Sequence, residues 1–181
     1  MRVRLAVCFV ALLACAAQAS AQAARSVYTD LSGGKCKVVK TGDAQAGENY
    51  SVSRCPGVAG FGLLVLDDDS RQSVTVVRPD GTEHPLDLWH TVSGAFSSVG
   101  QRAEWRVRRQ GGRDEPVSLI VRFNYSAGPD TPDRNISSLV VAKIIRDAIC
   151  VTDVIPPGTD ANERARRAAD SSAAKPCRRG E

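Results

Sequence analysis

The sequence predicts an α+β protein rich in β structure: a mostly antiparallel sheet of hairpins with one C-terminal helix and two disulfides. Three observations carry this. Short runs alternate apolar and polar side chains at the two-residue period of a strand. The stretch 160–174 changes to a helical period. Four cysteines, Cys36, Cys55, Cys150 and Cys177, stand outside an N-terminal leader, an even number that suits two bridges in an exported chain.

The leader comes first in the chain. MRVRLAVCFVALLACAAQASAQAARS places two arginines before an apolar run from Leu5 to Ala14 and then small residues, the order of a secretory signal peptide. Residues 1–23 are therefore read as a signal peptide, with cleavage near Ala21 to Ala24, and 24–181 as a single β-rich domain. Leu12-Leu13-Ala14-Cys15 is also close to a lipobox, so the alternative is a lipoprotein anchored to a membrane through Cys15. Losing the leader, which holds Arg2 and Arg4 and no acid, lowers the net charge from +4 to about +2. A balance so near neutral argues against nucleic acid as a partner.

KCKVVK (35–40) and NYSVSRC (49–55) read as a hairpin around a polar loop, closed by Cys36–Cys55. In the following SRCPGVAGFG the glycines lack the lysine and Ser/Thr of a phosphate loop, and a tight turn after the disulfide is expected. FGLLVLDDDSRQSVTVV supplies two strands around Asp67-Asp68-Asp69. Those carboxylates lack the alternating spacing of a calcium loop and read as a solvated turn. Residues 84–100 are expected to form a loop with a short helix.

AEWRVRR and PVSLIVRFNY form a hairpin with Trp105, Val107, Leu119, Val121 and Phe123 on its core face and the even-numbered residues facing water. SSLVVAKIIRDAICVTDVIPP, more continuously apolar, makes a second hairpin turning near Asp147. Asp160, with Glu163 three residues on, is expected to cap a helix near 160–174, after which Cys177 reaches back to Cys150. A zinc site is the rival for the cysteines, but there is no C-x-x-C and both histidines lie far along the chain from any cysteine. No metal and no cofactor are predicted.

YTDL (28–31), RCPGVAGFGLLV (54–65), DLW (87–89), AEWRV (103–107), LIVRFNY (119–125), ICVTDVIPPG (149–158) and DANERARRAAD (160–170) together resemble a family of uncharacterised exported proteobacterial proteins. The resemblance covers nearly all of the predicted mature chain. It implies a periplasmic home and no catalytic residue.

Two constellations could carry function. Arg102, Arg106, Arg108, Arg109, Arg113 and Arg122 gather on or beside one hairpin. Of these, Arg106, Arg108 and Arg122 are predicted to project from one accessible outer face as an anion- or partner-binding patch, guanidinium being suited to carboxylates and phosphates. The rival is a merely solvated face with Glu104 among the arginines. His84 or His90, oriented by Asp87 or Glu83 and beside Ser93, Ser97 or Ser98, could serve a hydrolase, although no G-x-S-x-G frame occurs. The chain therefore reads as a periplasmic, non-enzymatic binding or interaction module for an envelope protein or glycan. The alternatives are a cell-envelope hydrolase using His84 or His90, or a structural envelope component.

Overall fold

The structure, a computed structural model, describes residues 23–128 and 134–180. The predicted leader and Cys15 lie outside the described residues, Ala23 apart. The elements run β1 (Arg25–Asp30), β2 (Lys37–Thr41), β3 (Tyr50–Cys55), β4 (Gly62–Asp68), β5 (Arg71–Val77), β6 (Glu83–Pro85), α1 (Leu88–Thr91), β7 (Ser97–Gln110), β8 (Arg113–Ser126), β9 (Asn135–Ile145), β10 (Ala148–Ile155) and α2 (Ala161–Asp170). The chain is β-rich and, apart from one parallel contact, antiparallel.

The strands follow the order β10-β9-β8-β7-β5-β4-β3-β2, with β1 on β7 and β6 on β5. β5 shares one ladder pair with β7, Arg71 with Ser97, reinforced by Gln72, whose N–H donates to Ser97 Oγ and whose Oε1 accepts from Val99 N–H; beyond that point β7 takes β1 as its neighbour. The sheet is thus two halves joined at one corner. Leu63, Val74 and Val76 from one half share a single core cluster with Trp105, Leu119, Val121 and Val140 from the other, so the halves face each other across it. Trp105, fully buried, donates its indole N–H to Thr29 Oγ1 at 2.9 Å, which satisfies the polar end of a large apolar group.

The hairpins expected from alternation are present, and both expected disulfides, Cys36–Cys55 and Cys150–Cys177, are formed. The glycine run after Cys55 is a tight turn. A β-carbon at Gly57 would lie 2.1 Å from the Phe61 carbonyl oxygen, and the turn delivers Phe61 to the face of Trp105, ring centroids 6.2 Å apart. At the β4–β5 turn Asp69 and Ser70 both take positive φ, the backbone twist that a two-residue hairpin needs.

Three expectations change. First, the face of the β7–β8 hairpin that carries the even-numbered residues, continued on β9 by Leu139 and Val141, is not open to water. Ala161, Ala165 and Ala169, spaced i, i+4, i+8 along α2, pack on Ile120, Leu139 and Val141, and alanine's small side chain lets the helix lie close. Second, Asp160 does not cap α2: its carboxylate accepts from Arg164 Nε at 3.0 Å and makes no capping bond. A guanidinium four residues on competes for the same oxygen and carries a full charge. Third, residues 84–100 contain the short helix α1 but also β6 and the start of β7, whose Ser-Gly-rich sequence gives no alternation to read.

Candidate ligand-binding cleft

The register of the β7–β8 hairpin builds the site. Val99 pairs with Phe123 and Ala103 with Val121, so residues 100–102 of β7 stand opposite Arg122 alone. In a regular strand neighbouring side chains point to opposite faces. This bulge instead lets Gly100, Gln101 and Arg102 all border one cleft, Gln101 also bordering a hollow with Leu31 and Cys36; re-aiming side chains is a usual structural use of a bulge. Gly100 is required there for space: a β-carbon on it would sit 2.8 Å from Arg122 Cβ.

The cleft has a volume of about 530 Å³. Ile120 and Leu139 make its floor, and Asn162 and Arg166, one helical turn apart on α2, make the opposite wall. Tyr28 of β1 completes it. Its hydroxyl accepts from Arg166 Nη2 at 2.9 Å, and the Arg102 guanidinium lies 5.9 Å from its ring centroid.

Three guanidiniums therefore meet one carboxylate. Arg166 holds Glu104 with two bonds, Nε to Oε1 at 2.7 Å and Nη2 to Oε2 at 3.3 Å. Burial pushes the Glu104 carboxyl up, but hydrogen bonds from Arg166 and Ser26 outweigh it and hold the group below its ordinary value. The same pair pushes Arg166 up, chiefly through the hydrogen bond to Glu104, and keeps it a cation. Glu104 is thus spent on Arg166, while among the described residues Arg122 gives only Nη1, to Ser137 Oγ at 2.9 Å. Arg102 forms no salt bridge among the described residues, although Asp30 stands at its paired position on β1. The remaining fork geometry of Arg102 and Arg122 is available for a planar anion.

The three predicted arginines separate. Arg122 enters the cleft. Arg106 does not belong to an open patch: it is buried, with Nε and Nη2 on the two carboxylate oxygens of Asp170 at 2.8 and 2.9 Å, Nη1 on Ser26 Oγ and Nη2 also on the Ala24 carbonyl. It fastens α2 and β1 to β7. Arg108 leans on the same helix end, Nη2 donating to the Asp170 carbonyl at 3.4 Å. Sequence reading missed Tyr28, Asn162 and Arg166. The signal was present as Asn162-x-x-x-Arg166, a helical i, i+4 pair of polar residues beside the alanine stripe.

The histidines stand elsewhere. His84 Nε2 accepts from Arg78 Nε at 2.9 Å, since guanidinium can only donate, and burial, then the Arg78 charge, hold its pKa below the ordinary value. His90 Nδ1, on α1, lies 2.6 Å from Oδ1 of Asp87, which precedes the helix, and both side chains are exposed. The Ser93 and Ser97 hydroxyls accept backbone N–H groups of Ala95 and Gln72. Asp67 accepts from Gln72 and Asp69 pairs with Arg71. Among the described residues no group of three or more His, Cys, Asp or Glu side chains is placed to hold a metal ion. No family model, no curated protein and no solved structure matches the chain.

Proposed function

We propose that the protein is an exported, periplasmic binding module that takes an acidic group of an envelope ligand in the cleft between α2 and the β7–β8 bulge. The observation that carries this is the meeting of Arg102, Arg122 and Arg166 around a cleft whose one carboxylate is already held by Arg166. Binding is favoured over turnover by the chemistry of the lining. It contains no serine, threonine, cysteine or histidine, and Glu104, ionised and paired, is poorly suited to pass a proton near neutral pH. Two disulfides fit an oxidising compartment, in keeping with the leader pattern, and no helix among the described residues is long and apolar enough to cross a membrane.

Retention of the purified protein by a cell-envelope fraction tests the reading. The Arg102→Ser/Arg122→Ser double variant is compared with Arg109→Ser/Arg113→Ser, which removes the same charge at the distant hairpin tip. Loss of retention in the first and not the second is expected, with retention by the unaltered protein falling as salt rises. Equal behaviour of the two variants would sink the cleft as the binding surface. The hydrolase alternative rests on the His90–Asp87 pair, and turnover of an envelope substrate that vanishes in His90→Ala would establish it.

A further inference from the structure

A second hollow lies beside the basic cleft, past Arg122. On the same face of the sheet, two residues further along β8, Asn124 pairs with Ser98 of β7 on one side and Ser137 of β9 on the other, and Ser126 beyond it pairs with Asn135. Ser98, Asn124 and Asn135, with Phe96 and Ser97, line a second hollow of about 390 Å³. Arg122 bridges the two, since its Nη1 bond to Ser137 reaches across to the strand that also carries Asn135. Among the described residues, the alanines of α2 pack on this sheet face at Ile120, Leu139 and Val141 and not beyond Arg122. From Arg122 to Asn124 the strand runs roughly 7 Å, at ~3.4 Å per residue.

Resting on the cleft reading above, we infer that the cleft and the adjacent hollow together take an acidic oligosaccharide, its carboxylate among the arginines and its neighbouring neutral sugar in the Asn–Ser hollow. The two ends differ in chemistry in the way such a chain does. At the hollow, Ser98, Asn124 and Asn135 make no side-chain hydrogen bond among the described residues. Asparagine and serine both donate and accept, matching sugar hydroxyls that do the same. At the rim Phe96 is 58 % exposed, with the Arg71 guanidinium 4.9 Å from its ring centroid and the rest of the ring open to solvent. An exposed aromatic face beside amide groups suits the apolar face of a sugar ring. An acidic peptide lying along β8, which is paired with β7 on one side and β9 on the other, finds no strand edge for the backbone bonds that extended peptides use.

Calorimetric titration of the full chain with three probes tests this: a tetrasaccharide alternating glucuronate with N-acetylglucosamine, a neutral N-acetylglucosamine tetramer, and free glucuronate. The charged tetramer should bind at least about tenfold more tightly than either other probe. Asn124→Ala/Asn135→Ala, both outside the core, should weaken the tetramer about tenfold and leave glucuronate unchanged, whereas Arg102→Ser/Arg122→Ser should weaken both acidic probes. Equal affinity for glucuronate and the charged tetramer, or an unaffected asparagine variant, would overturn the joint site and leave the basic cleft standing. Absence of binding by the charged tetramer would also overturn it, and the envelope-retention comparison, which uses none of these probes, then judges the cleft separately.

Discussion

Arg106 and Arg122 are the same residue type on the same sheet face, yet their surroundings assign them opposite roles. Arg106 is enclosed and its whole fork is used, by Asp170, Ser26 and Ala24. Replacing it by serine leaves the Asp170 carboxylate and the Ala24 carbonyl without their donor. A loss of about 2 kcal/mol is expected in denaturant unfolding, the order of a lost charge-assisted hydrogen-bond pair whose remaining carboxylate, 39 % exposed, can be hydrated. Arg122→Ser should change stability by only about 1 kcal/mol, because among the described residues its partly buried guanidinium makes one hydrogen bond, to a neutral hydroxyl. Glu104 adds a pH dependence. Its folded-state pKa is depressed below 4.5, so its contribution is fully present above that value and is lost as pH falls through the depressed one. Melting curves of the protein and of Glu104→Gln should therefore differ at neutral pH and converge in acid. A gap that persists or widens in acid would contradict the depressed carboxylate.

At the scale of elements, the bulge in β7 is what makes the cleft. Gly100→Ala would force Arg122 away from a β-carbon 2.8 Å distant. The expected outcome is a cost of about 1–2 kcal/mol together with weaker binding of the acidic tetrasaccharide. Unchanged affinity would show that the position of Arg122 over Gly100 does not matter. The core face of this hairpin was legible in the sequence, because Trp105, Val107, Leu119, Val121 and Phe123 recur with the period of a strand and all are buried. What lies over the other face was not. Glu104, Arg106 and Arg122 alternate with those residues in the same way whether water or a helix covers them, and only Asp170 and Arg166, more than sixty positions downstream of Glu104 and Arg106, decide it. The bulge was equally hidden: Gly100-Gln101-Arg102 has no periodicity to break.

Across the whole molecule, the two disulfides tie down different parts. Cys36–Cys55 closes the β2–β3 hairpin at the sheet's far edge, whereas Cys150–Cys177 fixes the segment after α2 to β10 and so holds the helix wall of the cleft from its C-terminal side. Their pairing could be read from sequence because each joins neighbouring elements, while the sharing of one core by the two halves of the sheet turns on a corner, at Arg71, Gln72, Ser97 and Val99, that no local pattern records. Replacing Cys150 and Cys177 by serine should lower stability by ~2–4 kcal/mol and weaken acidic-ligand binding as well, whereas Cys36→Ser/Cys55→Ser should lower stability alone. Unfolding curves paired with calorimetry separate the two effects. The most direct test of the basic cleft is nuclear magnetic resonance of the arginine Nε–H groups during titration with the glucuronate-containing tetrasaccharide. The signals of Arg102 and Arg122 should move together and saturably, with Arg106 unmoved behind its Asp170 pair. Movement confined to Arg109 and Arg113 at the hairpin tip, or no movement at Arg102 and Arg122 while the probe binds, would contradict the assignment of the cleft.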